Sequence, residues 1–264
     1  MEIVLIGSGN AGSVLGSKFR LAGHKIQQVI SQNPGHASIL ASKLGAHHAS
    51  SWRDIYRLAD IYILAISDQA LMSLDDQFSL DRKLVVHTAG SVPMNVLENL
   101  SKNYGVLYPL QSLRKENPEV AEIPFLIEAN TPENLTVIQD LARSISPKVF
   151  KADGDARIKY HLAAVVVNNF SNHLFTMAER FCRDEHLKFD LLLPLMKETV
   201  ERLEKFGPGN MQTGPAMRND DVTIKNHLKI LEKYPSLQAL YQFFSKSIED
   251  RPARDIHPFP NSGN

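Results

Sequence analysis

A glycine-rich segment near the start of the sequence has the residue types and spacing of a phosphate-binding turn. It follows the pattern G-x-G-x-x-G in the residues Gly7, Ser8, Gly9, Asn10, Ala11 and Gly12. An apolar stretch over 2–6, a predicted strand, precedes it, and a predicted helix over 11–21 follows. In that context the glycines allow a tight turn, close approach of a pyrophosphate, and close packing of helix on strand. The amides at the positive helix end favour phosphate. The alternative is an ordinary glycine-rich connection.

The residues after the second predicted strand, 25–30, bear on which nucleotide the turn would bind. They are Ser31, Gln32 and Asn33, and the next carboxylate in the sequence is Asp54. An NAD site usually offers Asp or Glu to the ribose hydroxyls at this point. The absence of this carboxylate removes electrostatic repulsion against the 2′-phosphate of NADP. Small polar side chains can also donate hydrogen bonds to that phosphate. We therefore predict NADP as the cofactor, although the arginine that usually binds the 2′-phosphate is also missing.

Further motifs resemble those of the pyrroline-5-carboxylate reductase superfamily, which also includes deazaflavin-dependent NADP oxidoreductases. The motifs are residues 7–12, 61–67 followed by Asp68, 87–91 and 108–112. In the second half, 161–169 and 213–220 are similar to a group of Rossmann proteins that carry a helical C-terminal domain of unknown function. Those proteins are described as NADP oxidoreductases. The resemblance extends to about residue 248 and brings no established substrate.

The resemblance implies a role for each matching position. The glycine-rich turn would hold the pyrophosphate, and residues 31–33 would surround the adenosine ribose and its phosphate. Two further segments would lie on the nicotinamide side: Ala65, Ile66, Ser67 and Asp68, and then His87, Thr88, Ala89 and Gly90. The sequence departs from proline reductases, whose Ser/Thr-rich stretch is not evident, and from hydroxyacid dehydrogenases, because 162–167 contains no lysine. Neither activity follows by analogy.

A polar row on the first helix of the second half is a candidate for proton transfer. His161, Asn168 and Asn172 are spaced by seven and four residues, which predicts a common helix face. Residues 163–167 between them are wholly apolar, and polar groups in such a segment need partners if they are buried. In one interpretation the row faces the substrate, with His161 as proton donor and the asparagines holding a carbonyl or carboxylate. In the other, it forms hydrogen bonds between helices or subunits.

A constrained loop ending in an arginine is a candidate for substrate binding. Arg218 follows the segment that begins at Thr213, and its guanidinium could bind a substrate carboxylate bidentately. The alternative is that Arg218 pairs with Asp220 or Asp221 at a helix start.

Three other histidines are candidates for catalysis or for metal binding. His87 ends a predicted strand beside the expected nicotinamide, so it is a second proton-transfer candidate, and a structural role is equally compatible. The adjacent pair His47 and His48 would point apart in a strand or helix and has no carboxylate at ligand spacing. We therefore predict no metal site.

The elements that must position these residues alternate in the first half of the chain and are helical in the second. Seven short apolar runs are strand candidates: 2–6, 25–30, 61–66, 83–87, 104–108, 124–129 and 148–151. With helices between them, they predict an α/β, doubly wound, mostly parallel Rossmann sheet. The remainder predicts an all-α C-terminal domain, whose first helix spans 155–186. The domains are an NADP-binding domain over 1–153, a helical substrate and dimerisation domain over 154–250, and an irregular tail over 251–264.

Composition limits the remaining classes. The 264 residues contain 29 basic and 29 acidic side chains, so the chain lacks the overall positive charge of a nucleic-acid binder. Cys182 is the single cysteine, which excludes internal disulfides and cysteine-rich metal sites. No apolar run approaches the ~20 residues of a membrane span, and no signal peptide is evident. We expect a cytoplasmic protein without membrane or nucleic-acid partners. We also expect a homodimer formed through the helical domain, because the long first helix of that domain is exposed unless another element packs on it.

These patterns together predict an oxidoreductase that transfers a hydride between NADPH and a small C=O or C=N substrate. The cofactor supplies the difficult chemistry, so the protein needs only to position the reactants and to provide an acid or base. The alternative from another class is a non-catalytic sensor that binds NADP and reports it to a partner.

Overall fold

The computed structural model describes residues 1–74, 79–117 and 122–250, so the predicted tail over 251–264 lies outside the described residues. By its contacts the chain divides into two compact units, one ending at Asn169 and the other beginning at Phe170. Asp153 accepts a hydrogen bond from the Ala156 amide and caps a helix that begins at Gly154. The helix that begins at Gly154 thus starts at the predicted domain boundary. By its contacts, however, this helix belongs to the first unit, which contains the sheet.

One sheet organises the first unit. The described residues form eight strands, in the order β3-β2-β1-β4-β5-β6-β7-β8. They are β1 (Glu2–Ile6), β2 (Lys25–Ile30), β3 (His47–Ala49), β4 (Ile61–Leu64), β5 (Leu84–His87), β6 (Asn103–Pro109), β7 (Phe125–Ala129) and β8 (Val149–Lys151). Neighbours are parallel except β6 and β7. The predicted doubly wound, mostly parallel sheet is confirmed, and β3 is the strand that the sequence analysis missed.

Apolar residues on both faces of the sheet explain why the strands are nearly continuous in Val, Ile and Leu. Successive side chains of a strand point to opposite faces. Leu5 belongs to one buried cluster and Val4 to the other, and both are fully buried. The helices of this unit are α1 (Asn10–Leu21), α2 (Pro34–Leu44), α3 (Asp68–Met72), α4 (Pro132–Arg143) and α5 (Gly154–Ala164). A sheet covered on both faces is typical of α/β proteins.

The second unit is helical, as predicted. From α5 the chain continues through a π-helix, Val165–Phe170, into α6 (Ser171–Asp184), so the predicted long helix is present with an unpredicted π segment in its middle. The other α-helices are α7 (Leu193–Phe206), α8 (Asp221–Ile230) and α9 (Pro235–Glu249). None of the helices formed by the described residues has the length and apolar character needed to cross a bilayer.

Candidate nucleotide-binding and active site

The turn between β1 and α1 depends on glycine at two positions. Gly7 has a φ of +113°, and a Cβ there would lie 2.1 Å from the Ala65 carbonyl oxygen. A Cβ on Gly12 would lie 2.2 Å from the Gly7 carbonyl oxygen. Both contacts are far closer than atoms can approach, so a side chain at either position would displace the backbone. The tight turn therefore requires the first and last glycines of the motif.

The middle glycine differs because it faces open space. Gly9 is the N-cap of α1, and nothing lies within 4 Å of the position that its Cβ would take. No side chain of the described residues caps the N-terminus of this helix, and its first turn contains no acidic residue. The first amides of a helix need acceptors from outside it, and the positive helix end favours an anion. This part of the chain therefore fits a pyrophosphate group.

A cavity of about 830 Å³ lies beside this turn, at the carboxyl ends of β1, β2 and β4. Strand β1 has β2 on one side and β4 on the other, which is the point where an open α/β sheet receives its ligand. The predicted cofactor-binding residues on its wall are Gly7, Ser8, Gly9, Ser31, Gln32, Ala65, Ile66 and Ser67. The structure thus brings together three segments that are far apart in the sequence.

The same wall includes a segment that the sequence analysis did not identify. Ser50, Ser51, Trp52 and Arg53 follow β3 and line the cavity. The Ser31 amide donates to the Ala49 carbonyl over 3.2 Å, which holds the end of β3 against the end of β2. The missing signal was β3 itself, because three residues that include two histidines form no apolar run. Had this strand been predicted, the residues after it would have been candidates.

The other predicted cofactor residues do not line this cavity: Asn10, Ala11, Gly12, Asn33, Asp68, Thr88, Ala89 and Gly90. Two of their side chains serve the local backbone instead. Asn33 Oδ1 accepts from the His36 amide over 3.0 Å and caps α2. Asn10 Oδ1 accepts from the Lys115 amide over 3.2 Å.

A second cluster lies where β5 and β6 end and α5 passes. The Tyr108 hydroxyl and His161 Nδ1 are 2.9 Å apart, within hydrogen-bond distance. Gly90 packs against both rings, since a Cβ there would lie 2.8 Å from Tyr108 Cζ and 2.9 Å from His161 Nδ1. Burial, and then the charge of Asp68, raise the pKa of Tyr108. The hydroxyl is therefore protonated at neutral pH and paired with a ring nitrogen. His161 was predicted from the sequence as a catalytic residue, whereas Tyr108 was not.

The Asp68 carboxylate extends this cluster. Ser91 Oγ donates a hydrogen bond to Asp68 Oδ2, which joins the start of α3 to the loop after β5. The Asp68 charge acts on the pKa values of both Tyr108 and His87. The ends of β4, β5 and β6, together with helix α5, therefore place one carboxylate, one phenol and two imidazoles in the same region of the first unit.

His87 has the surroundings of a structural residue. Its side chain is fully buried, and Nδ1 accepts a hydrogen bond from the Ala89 amide over 3.2 Å. Burial, and then the nearby Arg157 charge, lower its pKa to about 4. Arg157 is itself buried, pairs with Glu128 and donates to the Val92 carbonyl over 2.7 Å. His87 is thus a neutral ring that supports the turn leading to Gly90.

The polar row predicted on one helix face is altered by the π-helix. Residues 165–170 follow an i→i+5 pattern with more residues per turn than an α-helix. Asn168 is therefore rotated away from the position that a 3.6-residue period gives it relative to His161. The prediction of a common face for these two residues assumed an α-helix throughout, and the structure does not meet that assumption. Asn168 itself is exposed, as is Asn172 on α6.

In the second unit, Thr213 and Arg218 are exposed on the loop before α8. Hydrogen bonds from Thr223 are the main cause of the lowered pKa of Asp220, and the Arg218 charge lowers it further. Arg218 thus acts electrostatically on the acidic start of α8, but the ion pairs found among the described residues do not join it to Asp220 or Asp221.

Comparison with known protein families divides the chain in two. Residues 2–90 match the family described as NADP oxidoreductase, coenzyme F420-dependent. Residues 123–248 match a domain of unknown function, DUF2520. A comparison with curated protein sequences finds no match.

Three solved structures illustrate the similarity. A protein of Bacteroides fragilis assigned as an NADP oxidoreductase is 37% identical, with a TM-score of 0.85 over 95% of this chain and 98% of that one. A Thermotoga maritima protein is 23% identical, with a TM-score of 0.69 over 94% and 97% of the two chains. The reductive aminase from Aspergillus terreus, in complex with NADPH and ethyl-5-oxohexanoate, is 14% identical, with a TM-score of 0.71 over 97% and 96%. The last two similarities show a shared fold. The first shows the family: the chain belongs to the NADP oxidoreductase family of the Bacteroides fragilis protein.

Proposed function

We propose that this protein is a reductase that uses NADPH to reduce a small compound with a C=N or C=O bond. The observation that carries the proposal is the pair formed by Tyr108, near the end of β6, and His161 on α5, with the hydroxyl and Nδ1 2.9 Å apart. Membership of an NADP oxidoreductase family supports the cofactor. The reductive aminase, which has a similar fold, was crystallised with NADPH and a keto ester, and this supports the substrate class.

The chain's own residues would hold the cofactor in the cavity beside the glycine-rich turn. The amides around Gly9 would bind the pyrophosphate, because this is the open N-terminal end of α1. Ser31 and Gln32 lie on the wall where the adenosine ribose would bind. Bound NADPH supplies a hydride. The remaining task of the protein is to orient the substrate and to provide a proton.

Tyr108 is our candidate for the proton donor to the substrate nitrogen or oxygen. Its raised pKa keeps the hydroxyl protonated at neutral pH. His161, which is only partly buried, contacts that hydroxyl through Nδ1 and would return a proton to it from solvent. His87 would position the turn before Gly90 rather than transfer a proton, since its neutral ring is fully buried. Asn168, Asn172, Thr213 and Arg218 stay predicted substrate ligands.

The test is NADPH consumption with a panel of cyclic imines, keto acids and aldehydes. We expect turnover of at least one class by the wild type, and a loss of about 100-fold or more in kcat for Tyr108→Phe. Tyr160→Phe is the matched control, because Tyr160 is 54% exposed on the same helix as His161. NADPH affinity should be equal in all three proteins. Binding of NADPH without turnover of any of these substrate classes would instead support the alternative function, a non-catalytic NADP sensor.

We further infer that two copies associate through the helical unit. Large apolar side chains are exposed on α6, on α7 and just before α7, including Phe175 (43%), Leu191 (73%), Leu195 (65%), Val200 (59%) and Phe206 (52%). Contiguous exposed apolar surface is typical of interaction sites. We take a second copy of the same chain as the partner, because it is present wherever the protein is.

A further inference from the structure

The part of the cavity wall that the described residues form carries a single formal charge. Among the described residues that line it, Arg53 is the only charged one. Its side chain is exposed, and the ion pairs and side-chain hydrogen bonds found among the described residues do not include its guanidinium. A guanidinium that has no such partner in the described part of the chain, at the edge of an open cavity, is available to a ligand.

The backbone fixes where this arginine stands. Strands β2 and β3 pair in parallel, with Ile30 opposite Ala49, so their carboxyl ends lie at the same edge of the sheet. Ser51 then caps a short turn of helix, Trp52–Asp54, and its hydroxyl accepts from the Arg53 amide over 3.2 Å. The chain therefore places Arg53 beside the residues that end β2, although 22 positions separate it from Ser31.

The chemistry around Arg53 matches a phosphate monoester. Ser8 Oγ donates to Ser31 Oγ over 2.8 Å, and Ser31, Gln32 and Ser51 lie on the same wall. These side chains offer hydroxyl and amide donors, and none of the described lining residues is acidic. A guanidinium pairs bidentately with a phosphate group. A free ribose diol, by contrast, is usually bound by a carboxylate.

We propose that Arg53 binds the 2′-phosphate of NADP and thereby sets the preference of this protein for NADP over NAD. The proposal rests on the proposed function, because it assumes that the cavity holds a nicotinamide dinucleotide. It assigns the recognition of the phosphate to the segment after β3, and not to the end of β2 where an arginine is missing. The rival role for Arg53 is stacking on the adenine, which NADP and NAD share.

Calorimetric titration separates these roles without any turnover. The ligands are NADPH, NADH and two fragments without nicotinamide, adenosine 2′,5′-bisphosphate and ADP. For Arg53→Ala and Arg53→Gln we expect the NADPH dissociation constant to rise about 10- to 100-fold, and the NADH constant to stay within about twofold. The dissociation constant of adenosine 2′,5′-bisphosphate should rise as that of NADPH does, and the constant of ADP should stay unchanged like that of NADH. Arg143→Ala, which removes an exposed arginine on α4 outside the cavity, should change none of the four constants.

Each outcome decides one question. Equal weakening of NADPH and NADH in the Arg53 variants would show adenine stacking and overturn the proposal, and so would unchanged binding of both. Failure of the wild type to bind either dinucleotide would instead contradict the proposed function. Arg53→Lys keeps the charge but loses the bidentate geometry, so it should fall between the wild type and Arg53→Ala. Melting temperatures of all variants check that they fold.

Discussion

The Tyr108 hydroxyl lies 2.9 Å from Nδ1 of His161, which connects the end of β6 to α5. The two rings meet edge to face, with their centroids 6.0 Å apart. Gly90 leaves the space that both rings occupy, since any side chain there would collide with them. Three segments of the chain, those of Gly90, Tyr108 and His161, thus form this one contact. The proposed proton transfer depends on the contact.

The first prediction is that Tyr108 and His161 act as one unit. Tyr108→Phe and His161→Ala should each lower kcat by about 100-fold or more. The double variant should lose little beyond the more damaging single change, because residues that act together have non-additive effects. Steady-state kinetics of the four proteins measure this coupling. Multiplying losses would show that the two side chains act independently.

A second prediction separates the binding role of Gly9 from the structural role of Gly12. Gly9→Ala places a methyl group in open space, so the free energy of unfolding should stay within about 0.5 kcal/mol of the wild type. NADPH affinity should nevertheless fall, because the methyl group occupies the approach of the pyrophosphate. Gly12→Ala should destabilise the protein by about 1–3 kcal/mol, since its Cβ would lie 2.2 Å from the Gly7 oxygen. Urea unfolding and calorimetry measure the two effects. Undiminished NADPH binding by Gly9→Ala would contradict the placement of the pyrophosphate.

The third prediction concerns acid stability and His87. Its pKa is about 4 in the folded protein and 6.5 in the reference state, so the unfolded chain binds a proton first as the pH falls. The contribution of neutral His87 to the free energy of unfolding is therefore fully present above pH 6.5. It decreases as the pH falls below 6.5 and is lost once the pH has fallen through about 4. The difference corresponds to about 3 kcal/mol of unfolding free energy.

Urea unfolding at a series of pH values between 7 and 4 tests this effect of His87. His87→Asn keeps an acceptor for the Ala89 amide but cannot titrate, so it should lose less stability than the wild type over this range. His48→Asn, at an exposed histidine, is the control and should behave like the wild type. Parallel pH curves for all three proteins would show that His87 titrates normally.

The fourth prediction concerns assembly. Light scattering should give the mass of a dimer for the wild type, and Leu195→Glu should shift the equilibrium towards monomer, because burying a charge in an apolar interface is costly. Lys197→Gln changes an exposed polar residue on the same helix and should leave the dimer intact. Circular dichroism checks that each variant is helical. A wild type that stays monomeric over a wide concentration range would remove the dimer hypothesis.

Local patterns were enough to predict much of this fold. The apolar runs identified seven of the eight strands formed by the described residues, because strands buried on both faces need apolar side chains throughout. The spacing of Gly7, Gly9 and Gly12 between a predicted strand and a predicted helix was enough to predict the turn, although the carbonyl that excludes a side chain at Gly7 belongs to the distant residue Ala65. Strand β3 was missed because three residues at the sheet edge need little apolar surface.

The sequence by itself thus determined the alternating α/β architecture, the helical second half and the glycine-rich turn, because their signals lie in residues close together in the chain. Only the tertiary structure decided which distant side chains meet. It placed Arg53 on the cavity wall through the pairing of β2 with β3, and Tyr108 against His161 across 53 positions. It also inserted a π-helix where a regular period had been assumed. Such contacts follow from how strands pair and helices pack, and local periodicity carries no information about them.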